Sequence, residues 1–170
     1  SYYNPFLTKN QKLGFGIELK HSRNRELAFQ VDNNELVYLK LENEYARIIS
    51  NGTAYLTYRP KIYTNHFLGF KYENVTIDDS IVNLNTNYFY NQDKKIEILS
   101  VAYNIDYDKR DSKIYPLNGF RFSSLLVKTG LGIYSKEGPF YVYNILEENL
   151  QLTKKLFLNL SAGGKYSFNN

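Results

Sequence analysis

Residues Tyr107–Arg121 read YDKRDSKIYPLNGFR, a charged turn marked by Pro116 and Gly119 that joins two alternating segments. Before it stands IEILSVAYNIDY (96–107) and after it FRFSSLLVKTGLG (120–132). In the first, Leu99, Val101, Tyr103, Ile105 and Tyr107 fall on one side, and Ser100, Ala102, Asn104 and Asp106 on the other. A period of two is how a strand divides its side chains between two environments. The polar side here carries small residues, so the pattern predicts a sheet with one oily and one wet face.

The same alternation runs through most of the chain. Lys12–Lys20 sets Leu13, Phe15, Ile17 and Leu19 against Gly14, Gly16, Glu18 and Lys20. HSRNRE (21–26) reads as a polar tip, Leu27–Val31 as a strand, Asp32-Asn33-Asn34 as a short turn and Glu35–Tyr45 as the next strand. Asn51-Gly52 is a turn signal before TAYLTYR (53–59), which ends at Pro60. Tyr63–Thr76 follows, with His66, Leu68, Phe70 and Tyr72 on one side, and then an Asn- and Asp-rich irregular stretch over 77–93. Strands over 95–107, 120–131, 140–151 and 156–168 complete about nine, with no helix longer than two turns. Short connections (DNN, RPKIYT, LTKK) take turns with longer polar ones (HSRNRE, 77–93, YSKEGP), the long 108–119 turn being the exception. An up-and-down barrel places alternate turns at the same rim, and membrane barrels pair short turns on one side with longer loops on the other.

The 170 residues suffice for one domain. Mean hydropathy is −0.47, and no run approaches the ~18 apolar residues of a membrane-spanning helix. Barrel strands escape that test because they are half polar. The segments also suit a crossing of about 9–11 residues, and Tyr45, Tyr63, Tyr107, Tyr115, Tyr141 and Tyr166 fall near strand ends, as interfacial girdles require. The absence of cysteine excludes disulfides and thiolate chemistry. SYYNPFLTKN has no apolar core of a signal peptide, and the chain reads as a mature or internal segment.

Sites for chemistry are sparse. The net charge of +4 is scattered rather than gathered in a basic stripe, so no nucleic-acid partner is expected. His21 and His66 have no partner at metal-ligand spacing, and no G-x-S-x-G pattern occurs. Asp78-Asp79 with Asp93 could hold calcium but reads better as a solvated loop. Gly14-Phe15-Gly16 precedes no helix and is not a dinucleotide loop. Asn51, Asn74 and Asn159 head glycosylation triplets of the kind an Asn-rich chain produces by chance. The Asp106–Asp111 run with Lys109 and Arg110 reads as a charged turn that keeps one end of a barrel in water. No cofactor, metal or catalytic residue is expected, and an enzyme is the least supported class.

DYDKRDSKIYPLNGFR (106–121), then a strand, the glycine-containing loop TGLGIYSKEGP, the strand FYVYNILEENLQL and a strand bearing Gly163-Gly164 together resemble a known family. It is the BamA/TamA-like outer-membrane assembly-factor superfamily, also called bacterial surface antigen. Its periplasmic-side turn, an Arg/Asp pair followed by (Tyr/Phe)-Pro-x-x-Gly, is matched by Arg110, Asp111, Tyr115, Pro116 and Gly119. YYNPFLTKNQKLGFGIEL (2–19) is similar to that family's asparagine-proline-aromatic turn between its second and third strands. The resemblance implies an all-β, antiparallel up-and-down transmembrane barrel. Residues 1–170 would be a partial barrel domain of about nine strands from a sixteen-stranded whole, in the bacterial outer membrane. It implies a non-enzymatic factor that inserts or translocates other proteins, with lipid, client outer-membrane proteins and accessory assembly subunits as partners. The family's POTRA domains, its first and closing strands and its Arg-Gly-Tyr/Phe-like loop are not in these residues. Glu18, Lys71, Glu73, Ser100, Asn104, Asp106 and Arg121, with Gly14, Gly16, Gly69 and Ser123, are expected to face the lumen. A passive outer-membrane barrel, porin-like or adhesive, shares the same faces. A soluble lipocalin-like barrel requires them reversed, with apolar residues inside.

Overall fold

A computed structural model describes residues 1–89, 93–134 and 138–168. It is all-β and antiparallel, with one short helix. The strands are β1 (Tyr2–Asn4), β2 (Leu13–Asn24), β3 (Glu26–Asp32), β4 (Glu35–Lys40), β5 (Arg47–Lys61), β6 (Thr64–Ile77), β7 (Lys95–Asp108), β8 (Gly119–Thr129), β9 (Phe140–Gln151) and β10 (Phe157–Phe168); the helix is α1 (Asp79–Leu84). Eight strands form one sheet in the order β1-β2-β5-β6-β7-β8-β9-β10, and β3 and β4 form a separate hairpin. The sheet is open, with β1 and β10 at its edges; no closed barrel forms among the described residues.

Three sequence expectations are corrected. Leu27–Val31 and Glu35–Tyr45 are not strands of the main sheet: they supply the hairpin, and the second ends at Lys40. HSRNRE is not a tip, because β2 continues through His21 and Arg23 to Asn24 against β5. Asn51-Gly52 is not a turn. It lies inside β5, where Asn51 faces Lys20 on one neighbour and Glu73 on the other. Ladder partners on both sides outweigh a local turn preference. The Asp32-Asn33-Asn34 turn is as expected: Asn33 and Asn34 both take positive φ (47° and 66°), the geometry of a two-residue hairpin loop. Pro60 sits where the β5–β6 register shifts between Tyr58 and Lys61, a place where a missing N–H is tolerated.

Because the hairpin adds two strands, removing it leaves the direction of every later strand unchanged. Connections 5–12, 62–63, 109–118 and 152–156 therefore share one end of the sheet, the short rim. Connections 25–46, 78–94 and 130–139 share the other, the long rim. Parts of two expected loops, 90–92 and 135–137, lie outside the described residues. Tyr63, Tyr107 and Tyr115 fall at the short rim, and Tyr45, Tyr141 and Tyr166 at the long one.

The registers place all eleven expected lumen residues on one face, called here the polar face: Gly14, Gly16 and Glu18 of β2, Gly69, Lys71 and Glu73 of β6, Ser100, Asn104 and Asp106 of β7, and Arg121 and Ser123 of β8. Leu19, Leu56, Phe70, Tyr103, Leu146 and Leu160 share the opposite, apolar face, and all are exposed. At its long-rim end Tyr45 lies against Arg23 and Tyr134 against Tyr72; the rest of that face is left exposed by the described chain. The polar face is less uniformly polar than β7 alone implies, since β8 and β9 add Leu125, Val127, Tyr141, Tyr143 and Ile145 to it.

Buried hydrophobic residues lie elsewhere. Leu27, Ala46, Ile77 and Ile81 form the buried cluster, with Phe29, Leu39, Leu41, Val82, Tyr88 and Phe89 against it. This small core joins the hairpin to α1 at the long rim. Asp78 caps α1 by accepting from the Ser80 N–H (2.9 Å), which holds its carboxyl below the usual carboxylate range. Asn85 donates to the Phe29 carbonyl (2.6 Å) and ties helix to hairpin. Asp79 pairs with Lys94, so the acidic loop is engaged in structure.

Gly16 of β2 and Gly69 of β6 make room for rings on the polar face. A Cβ at Gly16 would run into the Tyr55 ring, and one at Gly69 into Phe67. Tyr55 stacks on Tyr3 (5.9 Å between centroids) and tilts against Phe67 (5.4 Å), giving an aromatic row laid over glycines. Gly164 has nothing within 4 Å of a would-be Cβ. Gly16→Ala is therefore expected to cost about 1–3 kcal/mol through overpacking, and Gly164→Ala close to nothing. Urea midpoints of the two variants check this, and equal midpoints would show that the ring–glycine contact is immaterial.

Candidate functional site

The turn that joins β7 to β8 and the polar face beside it carry the densest polar chemistry in the structure. β7 runs out at Asp108, and Gly119 restarts the ladder with φ +111°, a left-handed conformation. A Cβ there would also strike the Lys109 carbonyl, so position 119 admits only glycine without strain. Asp111 holds the loop together: its carboxylate accepts the N–H groups of Ser112 (2.8 Å) and Leu117 (3.0 Å). The backbone N–H of Asn118, then those of Leu117 and Ser112, hold the Asp111 carboxyl below the usual carboxylate range. Tyr115 is exposed at the tip beside Ile114, which is 97% exposed. Pro116 is half-buried.

Arg110 turns back over the sheet. Its guanidinium grips Asp108 with two parallel bonds (Nε–Oδ1 and Nη2–Oδ2, both 2.9 Å) and donates through Nη1 to Glu147 (2.6 Å). Arg121 bonds Asp106 (3.0 Å) and reaches the other Glu147 oxygen at 3.6 Å. Two guanidiniums thus bridge three carboxylates across β7, β8 and β9, and the register explains it: Asp108 faces Arg121, which faces Glu147. The Arg110 and Asp108 side chains are only 10% and 9% exposed, so the fork geometry is sheltered from water. Beside the network a concavity of about 620 Å³ opens between the 5–12 and 109–118 connections, with Asp106, Asp108, Arg110 and Asp111 in its wall.

Of the expected motif residues, Arg110, Asp111 and Gly119 converge on this turn, whereas Tyr115 and Pro116 shape its outer side. Of the expected lumen residues, Asp106 and Arg121 join the network. Lys71 pairs with Glu73 (2.6 Å), Glu18 with Lys20 (3.0 Å), and Ser123 donates to Asn104 (3.3 Å). Ser100 shares their face, opposite Lys71 and Thr129. Glu147 was not singled out in the sequence. Its one local signal is its place in the period of β9, and only the register sets it against Arg121. Asn149, 2% exposed, is a second such residue; it accepts from Asn159 (2.5 Å) and donates toward the Gly119 carbonyl (3.5 Å). No group of three or more His, Cys, Asp or Glu suited to a metal occurs among the described residues.

Both histidines lie on the apolar face. His66 Nδ1 is 2.8 Å from the Tyr103 hydroxyl, and its ring stacks on Tyr58. His21 Nδ1 is 2.9 Å from Ser50 Oγ, the spacing of a base and a nucleophile. Arg23 Nε, however, donates to His21 Nε2 (2.8 Å). A nitrogen that accepts from a guanidinium carries no proton, so the ring's proton sits on Nδ1 and points at Ser50. In this arrangement the imidazole cannot take the Ser50 proton. Comparison of the chain with models of known families, with curated proteins and with solved structures finds no match.

The network counts three carboxylates to two guanidiniums, which makes unequal losses expected on the two sides. Arg110→Gln leaves sheltered carboxylates facing one another and should destabilise by about 3 kcal/mol or more. Glu147→Gln balances the charge and should cost well under half of that. Urea midpoints measure both, and a larger loss for Glu147→Gln overturns the charge count. At Asp111 the lowered folded value means that its contribution is complete above about pH 4, the ordinary carboxylate value, and disappears as pH falls through the folded value. Amide exchange of Leu117 and Asn118 should stay slow at pH 5 and quicken below pH 4, with no such step in Asp111→Asn.

Proposed function

We propose that this chain is a section of outer-membrane β-barrel wall, of the BamA/TamA-like assembly-factor kind, acting without catalysis in the insertion or translocation of other proteins. The observation that carries the reading is the uncovered apolar face of the eight-stranded sheet, backed by a face of paired charges and glycines. A water-soluble sheet of this size buries one face under helices or a second sheet. Here the buried hydrophobic cluster sits off the sheet, at one rim.

Further observations agree. The long strands run from 11 to 15 residues, enough to cross a bilayer at the usual barrel tilt. The rims differ as the two ends of an outer-membrane barrel do, and tyrosines stand at both. His66 and Tyr103, both on the apolar face, satisfy each other's polar groups. The outer edge of β10 and of β2 beyond Ile17 lacks a ladder partner among the described residues, so in a bilayer this sheet requires further strands. The family resemblance puts the Arg110–Asp111 turn, and with it the short rim, on the periplasmic side. The insertion role rests on that motif; the wall itself rests on the faces.

The chain has no cysteine, which makes a substituted-cysteine scan clean. In the full-length protein in outer membranes, cysteines at Leu99, Val101 and Tyr103 should react with a lipid-soluble maleimide. Those at Ser100, Ala102 and Asn104 should react with a water-soluble one. Recovery of the protein in the soluble fraction, or the reverse alternation, removes the membrane reading and favours a lipocalin-like barrel. Depletion should lower the amounts of other barrel proteins in the outer membrane; unchanged amounts leave a passive barrel.

A further inference from the structure

β2 carries a charge feature that the barrel wall does not require. Arg23 ends the apolar-face row of β2 at the long rim, after Leu19 and His21, and Arg25 follows just beyond the strand. Both guanidiniums lie against the Tyr45 ring, at 5.4 and 5.7 Å from its centroid, so one aromatic side chain holds two like charges together. Among the described residues neither has a carboxylate within ion-pair distance, unlike Lys94 and Lys95 of the same rim, which pair with Asp79 and Glu97. Two clustered cations without counter-charge repel each other, and an anion between them relieves that.

A concavity of about 380 Å³ lies on the same face between Leu19, Gly52 and Tyr72, with His21 and Ser50 in its wall, and Arg23 meets that wall through its 2.8 Å bond to His21. Gly52 keeps this groove open: a Cβ there would come within 3.2 Å of the Leu19 side chain. Apolar walls thus lead along the sheet to a serine hydroxyl and two guanidiniums. The order matches an amphiphile lying along a barrel wall, with its chain in the groove and its head at the rim.

We propose that Arg23, Arg25 and Ser50 bind the phosphate of a membrane lipid whose acyl chain occupies the Leu19–Gly52–Tyr72 groove. This rests on the outer-membrane reading above. Arg23, seated by its bond to His21, and Arg25 supply charge-assisted donors, and the Ser50 hydroxyl supplies a neutral one. The groove selects a lipid over free phosphate, because phosphate alone leaves the apolar walls uncovered.

The full-length protein in phosphatidylcholine nanodiscs, probed with nitroxide-labelled phosphatidic acid and nitroxide-labelled phosphatidylcholine, tests this. The wild type should immobilise the phosphatidic acid preferentially. Arg23→Gln/Arg25→Gln should lower that preference about thirtyfold, the loss expected for two surface cations, while Lys94→Gln/Lys95→Gln retains it. Gly52→Leu should release the labelled lipid, and inorganic phosphate should not displace it from the wild type. An unchanged preference in the double arginine variant overturns the site, and so does equal loss in the lysine variant, which would mean diffuse rim charge. Full displacement by inorganic phosphate with no effect of Gly52→Leu overturns the lipid assignment in favour of a free anion. Circular dichroism of each variant verifies that the sheet has formed. A wild type that will not enter nanodiscs defeats the membrane reading itself, whereas one that enters without preference defeats only this site.

Discussion

Backbone hydrogen bonding between neighbouring antiparallel strands is the constraint on which everything else here depends. A globular domain of this length gains most of its order by burying apolar side chains. This sheet leaves most of its apolar face bare, so its order comes from the ladders and from cross-strand side-chain pairs. A one-residue slip of any strand would carry Leu19 or Phe70 to the polar side and Glu18 or Lys71 to the apolar one. The alternation of the side chains and the registers of the strands therefore enforce each other.

The polar face shows how such a sheet fixes its registers locally. Near the short rim, Arg110 and Arg121 stitch β7, β8 and β9 through three carboxylates, and Asp111 and Gly119 shape the turn that brings Arg110 back. Farther across the sheet, rings take over: Tyr3, Tyr55 and Phe67 lie over Gly16 and Gly69 and lock β1, β2, β5 and β6. The first device depends on sheltered charge and the second on shape. Together they cover the face without building a core.

The long rim has a different character. There the hairpin and α1 form a small core of their own around Ile81, so the chain combines an open sheet with a largely bare apolar face and a cap folded in the ordinary way. The segment after the hairpin also delivers Tyr45 to the arginines at the end of β2, linking cap and sheet through cation–π contacts.

Period-two alternation by itself determined that the chain is built of strands and how β2, β6, β7 and β8 divide their residues between two faces, while turn residues marked the tight Asn33-Asn34 turn and the charged turn after β7. These are legible because strand geometry and turn chemistry are local. Arg110, Asp111, Tyr115, Pro116 and Gly119 stand out in the sequence as one charged turn, and the structure gathers them between β7 and β8. Which strands neighbour one another is not local. Only the tertiary structure removed β3 and β4 from the sheet, carried β5 straight through Asn51-Gly52, set Glu147 against Arg121 and placed His21 beside Ser50. Each of these depends on a partner distant in sequence, and a pattern of period two says which side a residue takes but not which residue it meets there.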